Sequence, residues 1–248
     1  MTELTPDISY IYRRKSHRSF SDAPLSDGEL SLVLDAFHSS KQLIREIKVS
    51  AKIVKKEETS VSRGEYCLLV YSEQKPLYLE NTGFILACTD IILQQHGIGS
   101  CFLGMGRTQH KEYEGLPFVT MLNIGKAKDN SLRNKPEDFT RNDPKEHLSA
   151  LPSTIALPCS LAPSACNTQC WEIGKTDEGY SILRTEGNPS IMRGNIKTFF
   201  NKMDMGIFMW YLSSSLAHEG HTFTLKLTDS GGNVHIIGDT GPTYSYKE

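Results

Sequence analysis

Two short segments of this sequence hold most of the side chains that could do chemistry. The first, residues 13–20, reads RRKSHRSF and contains Arg13, Arg14, Lys15, Ser16 and Arg18. Guanidinium groups beside a hydroxyl suit a phosphate monoester, because each can donate hydrogen bonds to the phosphate oxygens. Two plainer interpretations stay open: a charged run is usually a solvated face, and basic residues also cap the carbonyls at a helix end.

The second segment, residues 161–171, reads LAPSACNTQCW. Pro163 fixes φ within this loop. Hydrogen-bond donors and acceptors come from Ser164, Asn167 and Gln169. Such a loop suits the polar edge of a planar heterocycle. The alternative is a simple turn in which the Ser and Asn side chains satisfy the local backbone.

The spacing of cysteines and histidines does not indicate a metal site. The six cysteines form no CxxC pair, and Cys88 and Cys101 lie in or beside apolar runs, where free cysteine behaves as a small hydrophobic side chain. The segment HEGH at 218–221 lacks the i, i+4 spacing of a helical histidine pair, and Gly220 interrupts the helix between the two. We therefore predict no bound metal and no disulfide.

Composition and charge exclude several classes of partner. Of the 248 residues, 38% are hydrophobic and 23% are charged, and the formal net charge is −2. So small a net charge gives no strong field to steer the protein toward nucleic acid or an anionic membrane. The first twelve residues carry no secretory signal, and no apolar run approaches the roughly 18 residues of a membrane span. These patterns predict a cytoplasmic protein without nucleic-acid or membrane partners.

Capping residues and periodicity predict the elements that must position the two segments. Thr5 followed by Pro6 marks a helix start, and Ser26 with Glu29 forms a capping box that begins a second helix. A helix over 81–97 is apolar on nearly every face, so we expect it to be buried all round. Strands are predicted at 48–54, 66–71 and 117–124.

The C-terminal part repeats this mixture of helices and strands. The charged stretch 126–145, which contains two prolines, is predicted to connect two halves of the chain. A helix around 146–162 follows, interrupted by Pro152 and Pro158, and a second buried helix spans about 203–219. Strands are predicted at 170–174 and 180–184, as a hairpin, and at 222–227 and 233–237.

The two buried helices share a pattern of glycines. One runs from Gly83 to Gly97 and the other from Gly206 to Gly220, so the glycines of both pairs are 14 positions apart. The plainer interpretation is that any two buried helices look alike. A true repeat implies two copies of one α+β unit, whose central helices bury each other about a pseudo-twofold axis. The predicted fold is α+β, in two similar halves at residues 1–140 and 141–248.

Taken together, these motifs resemble the FMN-dependent nitroreductase family. The start of the family, RRSxRxF, matches RKSHRSF at 14–20, and its loop, APSxxNxQPW, matches APSACNTQCW at 162–171. Its GLGSxxxG, at the end of the central helix, matches GIGSCFLG at 97–104. Its last strand is followed by a Gly and an RKP-like stretch, which are similar to Gly125 and RNKP at 133–136. The resemblance touches most of the chain and implies a nitroreductase-like fold.

One departure from the family pattern is large. Family members usually carry RRSxR and APSxxNxQ in the same half and bind FMN at the interface of a homodimer. Here the N-terminal half has the arginines but reads FHSSKQLI at the loop position, whereas the C-terminal half has the loop without the arginines. The chain thus resembles the TM-type nitroreductase branch, in which one chain mimics the dimer. This resemblance implies one flavin at the seam between the halves and a monomer, with further association left open.

The resemblance also implies which residues contact FMN. The phosphate and ribityl chain would be bound by Arg14, Lys15, Ser16 and Arg18, with added charge from Arg133 and Lys135. The isoalloxazine would be contacted by Pro163, Ser164, Asn167 and Gln169, and flavin N5 would lie near the backbone of Phe102, Gly104 and Met105. Cys170 replaces the usual Pro, which leaves the rigidity of the loop open and places a thiol near the flavin.

The resemblance implies an oxidoreductase. NAD(P)H would reduce the flavin, and a nitroaromatic, quinone or similar acceptor would then take its place. No catalytic side chain is expected, because the chemistry belongs to the cofactor. Two alternatives stay open: a flavin-binding sensor or carrier without turnover, and a scaffold that has lost FMN. The choice between NADH and NADPH and the physiological acceptor are open as well.

Overall fold

Two compact units make up the chain. The computed structural model describes residues 4–128, 132–238 and 240–248. The first unit contains the described residues up to Gln74 together with Ile85–Asp138, and the second contains Lys75–Phe84 together with the described residues from Phe139 onward. Each unit combines a five-stranded sheet with helices, so the predicted α+β class is confirmed.

The first unit is built on an antiparallel sheet. Its elements in chain order are α1 (Asp27–Ser39), β1 (Val49–Lys55), β2 (Tyr66–Ser72), α2 (Tyr78–Gln95, which begins in the second unit), β3 (Ile98–Phe102), β4 (Glu112–Tyr113) and β5 (Leu116–Lys126). The strand order is β1-β2-β5-β3, and the short β4 pairs with the beginning of β5. The three strands predicted for this part of the chain are confirmed as β1, β2 and β5.

Capping side chains decide where the first helices begin. The predicted box is present at α1: the Glu29 N–H donates to Ser26 Oγ at 3.3 Å, and the Ser26 N–H donates to Glu29 Oε2 at 2.8 Å. The predicted helix start at Thr5 is wrong. A short 3-10 helix, Ile8–Tyr12, begins instead after Asp7, whose carboxylate accepts a hydrogen bond from the Ser9 N–H at 2.9 Å.

Helix α2 is buried on every face over residues 79–94, as predicted from its apolar pattern. Gly97, with φ +74°, follows the helix as a left-handed C′ residue. Directly after it the chain enters β3, which pairs with β5. This strand was not predicted, because a short apolar run beside a buried helix has no period of its own.

The second unit is built on a mixed sheet. Its elements in chain order are α3 (Pro144–His147), α4 (Ser153–Ser160), β6 (Trp171–Thr176), β7 (Gly179–Arg184), α5 (Gly194–His218), β8 (Thr224–Thr228), β9 (Val234–Ile237) and β10 (Thr243–Lys247). The strand order is β6-β7-β10-β8-β9. The predicted hairpin is confirmed as β6–β7, and the two later predicted strands are β8 and β9. The central strand β10, parallel to both of its neighbours, was not predicted.

The helices of the second unit differ from the prediction at their beginnings. The helix predicted around 146–162 is two short helices, α3 and α4, because Pro152 stands directly before α4 and has no N–H to continue a helical ladder. Helix α5 begins at Gly194 rather than near 203, since its first turns are mostly exposed and only the later turns are apolar all round. Within the described ranges, no helix combines the length and apolarity needed to cross a bilayer.

Two glycines bring the first turns of α2 against α5 within the second unit. A Cβ added to Gly83 would collide with the carbonyl oxygen of Met203, and a Cβ added to Gly206 would collide with that of Glu80. Each glycine therefore meets the residue three positions before the other glycine, which is the reciprocal pattern of a twofold contact. Gly220 follows α5 with φ +73°, as Gly97 follows α2. This crossing has the symmetry expected of a repeat, whereas the single-chain pseudo-dimer stays a prediction.

Candidate functional site

Residues 13–20, here called the basic segment, belong to the first unit and lie beside β3. Ser16 forms a parallel bridge with Ser100, and the His17 N–H donates to the Ser100 carbonyl oxygen at 2.8 Å. Lys15 and Arg18 are exposed on either side of the half-buried Ser16. The segment thus presents two cations and a hydroxyl from a backbone that is fixed to the sheet.

Arg14 is buried in a network of hydrogen bonds, with 1% of its surface exposed. Its Nε lies 2.9 Å from Asp90 Oδ2, and its Nη2 donates to Ser16 Oγ at 3.2 Å. Asp90 also accepts from Gln94 Nε2 at 2.7 Å and from the Ser100 hydroxyl. Because a buried carboxylate needs such partners, this network ties the basic segment to α2 and β3 and orients Ser16.

Two aromatic rings anchor the same segment on paired glycines. Gly99 and Gly125 face each other across β3 and β5. A Cβ on Gly99 would lie 2.8 Å from the His17 ring, and a Cβ on Gly125 would lie 2.9 Å from the Phe20 ring. Burial lowers the pKa of His17, although Asp90 opposes that shift. The glycines of two sequence motifs therefore make room for rings that hold the basic segment.

Arg133 and Lys135 lie close in sequence but differ in their contacts. The Arg133 N–H donates to the Arg13 carbonyl oxygen at 2.8 Å, and its guanidinium donates to the carbonyl oxygens of Arg14 and Asp138. The structure thus brings Arg133 to the basic segment. Lys135 is exposed, and its N–H donates to Asp138 Oδ2 at 3.3 Å.

Phe102, Gly104 and Met105 lie at the end of β3. Phe102 is the last residue of the strand and is half-buried, and the Gly106 N–H donates to the Leu103 carbonyl oxygen at 3.0 Å to close a turn. Gly104 is exposed, and Met105 is 69% exposed. This turn presents backbone atoms and an apolar side chain to solvent.

The loop of the second unit, residues 161–171, is held in an unusual backbone conformation. Cys166, Asn167 and Gln169 have φ of 52°, 58° and 47°, in the left-handed region that non-glycine residues rarely adopt. The Gln169 N–H donates to Ser164 Oγ at 2.9 Å, which closes the loop on itself. Pro163 is buried at its beginning. Such strain persists only where neighbouring groups fix the backbone.

Three residues that were not predicted to belong to the site supply that support. Arg141 Nη1 donates to Asn167 Oδ1 at 2.9 Å, and its other nitrogens donate to the carbonyl oxygens of residues 161 and 162. The Asn142 N–H donates to Gln169 Oε1 at 2.9 Å, and Asn188 Nδ2 donates to the Asn167 carbonyl oxygen at 3.1 Å. Arg141 and Asn142 lie in the stretch 126–145, which was interpreted only as a charged connection because an Arg-Asn pair forms no recognisable motif.

The loop leaves few polar groups for a ligand. Both ends of the Gln169 amide are hydrogen-bonded to Asn142. Oε1 accepts from the Asn142 N–H at 2.9 Å, and Nε2 donates to Asn142 Oδ1 at 3.3 Å. Asn167 Nδ2 has no hydrogen-bond partner in the described part of the chain, and Ser164 is half-buried. Cys170 is fully buried and donates to the Asn201 carbonyl oxygen at 3.6 Å, and its burial raises the pKa of the thiol. The exposed thiol of this loop is Cys166.

Comparison with protein families gives one match that spans most of the chain. Residues 7–214 match the model of a family described as "Putative TM nitroreductase". No curated protein matches the chain at a significant level.

Several solved structures are similar to this chain at low sequence identity. A "putative nitroreductase" of Thermotoga maritima is 18% identical, with 88% of this chain and 87% of that chain covered and a TM-score of 0.55. An FMN-dependent nitroreductase of Clostridium difficile is 13% identical, with 54% of this chain and 94% of that chain covered and a TM-score of 0.42. A "Putative NADH Oxidase" of Clostridium acetobutylicum is 11% identical, with 57% and 98% covered and a TM-score of 0.44. The first of these supports the nitroreductase-like fold.

Proposed function

This chain belongs to the TM nitroreductase family, and we propose that it is an FMN-dependent oxidoreductase that passes electrons from NAD(P)H to nitroaromatic, quinone or similar acceptors. The observation that carries the proposal is the exposed pair Lys15 and Arg18 beside Ser16, on a segment fixed by the buried Arg14–Asp90 ion pair.

The donors of the first unit fit the phosphate of FMN. Lys15 and Arg18 offer positive charge to solvent, and Ser16 offers a hydroxyl whose orientation Arg14 sets. Charge-assisted hydrogen bonds to phosphate are about twice as strong as neutral ones. Arg133, bound to the backbone of this segment, would add charge, as would the exposed Lys135.

The loop of the second unit fits the polar edge of a flavin ring. Asn167 Nδ2 has no hydrogen-bond partner among the residues that the structure describes, and Ser164 of the same loop is half-buried. Pro163 and Gln169 would act by shaping the loop, because Pro163 is buried and the Gln169 amide is bound to Asn142. The turn formed by Phe102, Gly104 and Met105 would supply backbone and apolar contacts.

In the proposed mechanism the side chains bind and orient. Bound FMN would supply the redox chemistry, accepting a hydride from NAD(P)H and passing electrons to the acceptor. Lys15 and Arg18 would hold the phosphate end, and Asn167 would donate to a ring heteroatom. None of these roles requires a side chain to move a proton.

Titration with FMN tests the phosphate assignment. Arg18→Gln should weaken FMN binding about 10- to 100-fold, because it removes one charge-assisted contact of about 1.5–3 kcal/mol. Quenching of flavin fluorescence gives the dissociation constant. Arg45→Gln is the matched control, since Arg45 is an exposed arginine of the same unit outside the proposed site. Unchanged affinity in Arg18→Gln would remove this assignment.

Turnover separates the enzyme from its alternatives. The FMN-loaded protein should consume NADH or NADPH in the presence of a nitroaromatic or a quinone, with ping-pong kinetics because donor and acceptor use the same face in turn. Flavin bound without NAD(P)H consumption would indicate a sensor or carrier. A protein that binds no flavin at any concentration tested would contradict the proposed function.

A further inference from the structure

A buried carboxylate lies against the loop of the second unit. Asp204, in the middle of α5, is 3% exposed. The Ala165 N–H lies 3.0 Å from each of its oxygens, and the Thr168 hydroxyl lies 3.3 Å from Oδ2. Asp204 therefore contacts both sides of the left-handed residues Cys166 and Asn167.

No cation lies within ion-pair distance of Asp204 among the residues the structure describes. Burial raises the pKa of this carboxyl to about 8, and the hydrogen bonds from Ala165 and Thr168 oppose the shift only in part. The pKa of the buried Cys170 thiol is raised by burial first and by the charge of Asp204 second. On α5, the neighbouring Lys202 is ion-paired with Glu248. An isolated buried charge is costly, so such groups tend to bind a proton instead.

The hydroxyl of Thr168 gives a second, geometric indication of that proton. It lies 3.4 Å from Asn201 Oδ1 and 3.3 Å from Asp204 Oδ2, and both of these atoms are acceptors when Asp204 is ionised. One hydroxyl proton cannot satisfy two acceptors. Both contacts are made at once when Asp204 carries a proton on Oδ2 and donates to Thr168, which then donates to Asn201.

We propose that Asp204 is a positioning residue that fixes the loop over residues 163–169 as a neutral carboxylic acid, and that its ionisation opens the loop and weakens flavin binding. The last clause rests on the proposed function, whereas the opening of the loop does not. Ionisation leaves Thr168 with one acceptor too many and leaves a charge buried without a cation. Opening the loop gives that charge access to water.

The sign of the pH dependence follows from linkage. The closed loop binds the proton more tightly than the open loop, in which Asp204 has an ordinary pKa near 4. Closing is therefore most favourable at low pH. The open fraction rises as pH increases, by up to about tenfold per unit, and levels off above the raised pKa near 8.

Labelling of the buried Cys170 thiol measures opening without any flavin. The background is Cys166→Ser, which removes the exposed thiol of the loop. A thiol reagent is added between pH 6 and 9, and peptide mass spectrometry follows Cys170, with the buried Cys159 of α4 as an internal reference. Relative to the same protein with Asp204→Asn, labelling of Cys170 should rise up to about tenfold per pH unit and level off near pH 8.

Asp204→Asn keeps an acceptor for the Ala165 N–H and a donor for Thr168 but cannot ionise. Asp177→Asn, at an exposed position of the same unit, is the charge-matched control and should follow the parent profile. A labelling ratio that is the same at every pH overturns the proposal. If Asp204→Asn does not fold, the ratio of Cys170 to Cys159 in the parent protein gives the same test.

Flavin titration provides the second readout. In the parent protein the FMN dissociation constant should increase as pH rises toward 8. In Asp204→Asn this increase should be absent. Flavin binding with a parallel pH dependence in both proteins overturns the link to the loop. Failure of both to bind FMN contradicts the proposed function, and the labelling experiment then decides the role of Asp204 by itself.

Discussion

Arg14 and Arg18 belong to one basic segment, yet their surroundings differ. Arg14 is buried and paired with Asp90, whereas Arg18 is exposed and has no ion-pair partner among the described residues. The sequence motif treats both as phosphate ligands. The structure adds a positioning role for Arg14, since it holds Ser16 and joins the segment to α2.

Removal of Arg14 should therefore cost stability as well as affinity. Arg14→Ala leaves the buried Asp90 without its cation, and breaking a buried ion pair from one side costs about 3–5 kcal/mol. Urea denaturation should show this loss in the free energy of unfolding. The matched control, Arg13→Ala, removes an exposed arginine from the same segment and should cost much less. Equal stability of the two variants would contradict the role of the Arg14–Asp90 pair.

The motifs pointed to candidate site residues but not to the residues that hydrogen-bond to them. The basic segment and the loop were singled out by their residue types, and their assignment to FMN came from the resemblance to the family and stays a prediction. Arg141, Asn142 and Asp204, which fix the loop, each lie more than 20 positions from Pro163 and outside both motifs. Their roles depend on tertiary contacts that periodicity does not encode.

At the scale of elements, the crossing of α2 and α5 depends on two glycines. Gly83→Ala and Gly206→Ala should each lower the free energy of unfolding by about 1–3 kcal/mol or more, because the added methyl group meets a backbone carbonyl that cannot move aside. Thermal or urea denaturation measures the effect. Reciprocity predicts similar losses at both positions.

Gly28 is the control for these substitutions. It lies in the first turn of α1 with no atom within 4 Å of an added Cβ. Gly28→Ala should therefore stabilise the protein, by up to about 1 kcal/mol, through helix propensity alone. If Gly83→Ala behaved like Gly28→Ala, the close crossing would be wrong.

Elements with a strong local signal were predicted, and elements defined by distant pairing were not. The capping box of α1, the all-round burial of α2 and the β6–β7 hairpin follow from neighbouring residues. Strand β10 has only five residues, and its position between β7 and β8 is set by partners elsewhere in the chain. Local pattern carries no information about such partners.

At the scale of the whole molecule, buried carboxyl groups set how stability changes with pH. Glu80 is 1% exposed and accepts a hydrogen bond from the Tyr246 hydroxyl at 2.9 Å. Burial raises its pKa to about 7, and this hydrogen bond offsets the shift only in part. The folded protein therefore binds a proton that the unfolded chain releases near pH 4.5.

The free energy of unfolding therefore changes with pH in the opposite direction to that expected for an ion-paired carboxylate. Stability from Glu80 is fully present below pH 4.5 and is lost as pH rises to about 7, by roughly 3 kcal/mol. Glu80→Gln, which keeps an acceptor for Tyr246, should remove this loss, so that urea denaturation at pH 5 and pH 7.5 differs less than in the parent. Glu178→Gln, at an exposed site, should leave the difference unchanged. A difference between pH 5 and pH 7.5 as large in Glu80→Gln as in the parent would contradict this assignment, since only the part that comes from Glu80 should disappear.

The central position of β10 has a consequence for biosynthesis. Residues 243–247 leave the ribosome after β6–β7 and β8–β9, so each hairpin emerges with the edge that β10 later covers still unpaired. Unpaired edges of this kind readily recruit strands from other chains. Newly made protein should therefore be most prone to aggregation in the interval before β10 arrives, and a chaperone that covers strand edges would have its greatest effect there.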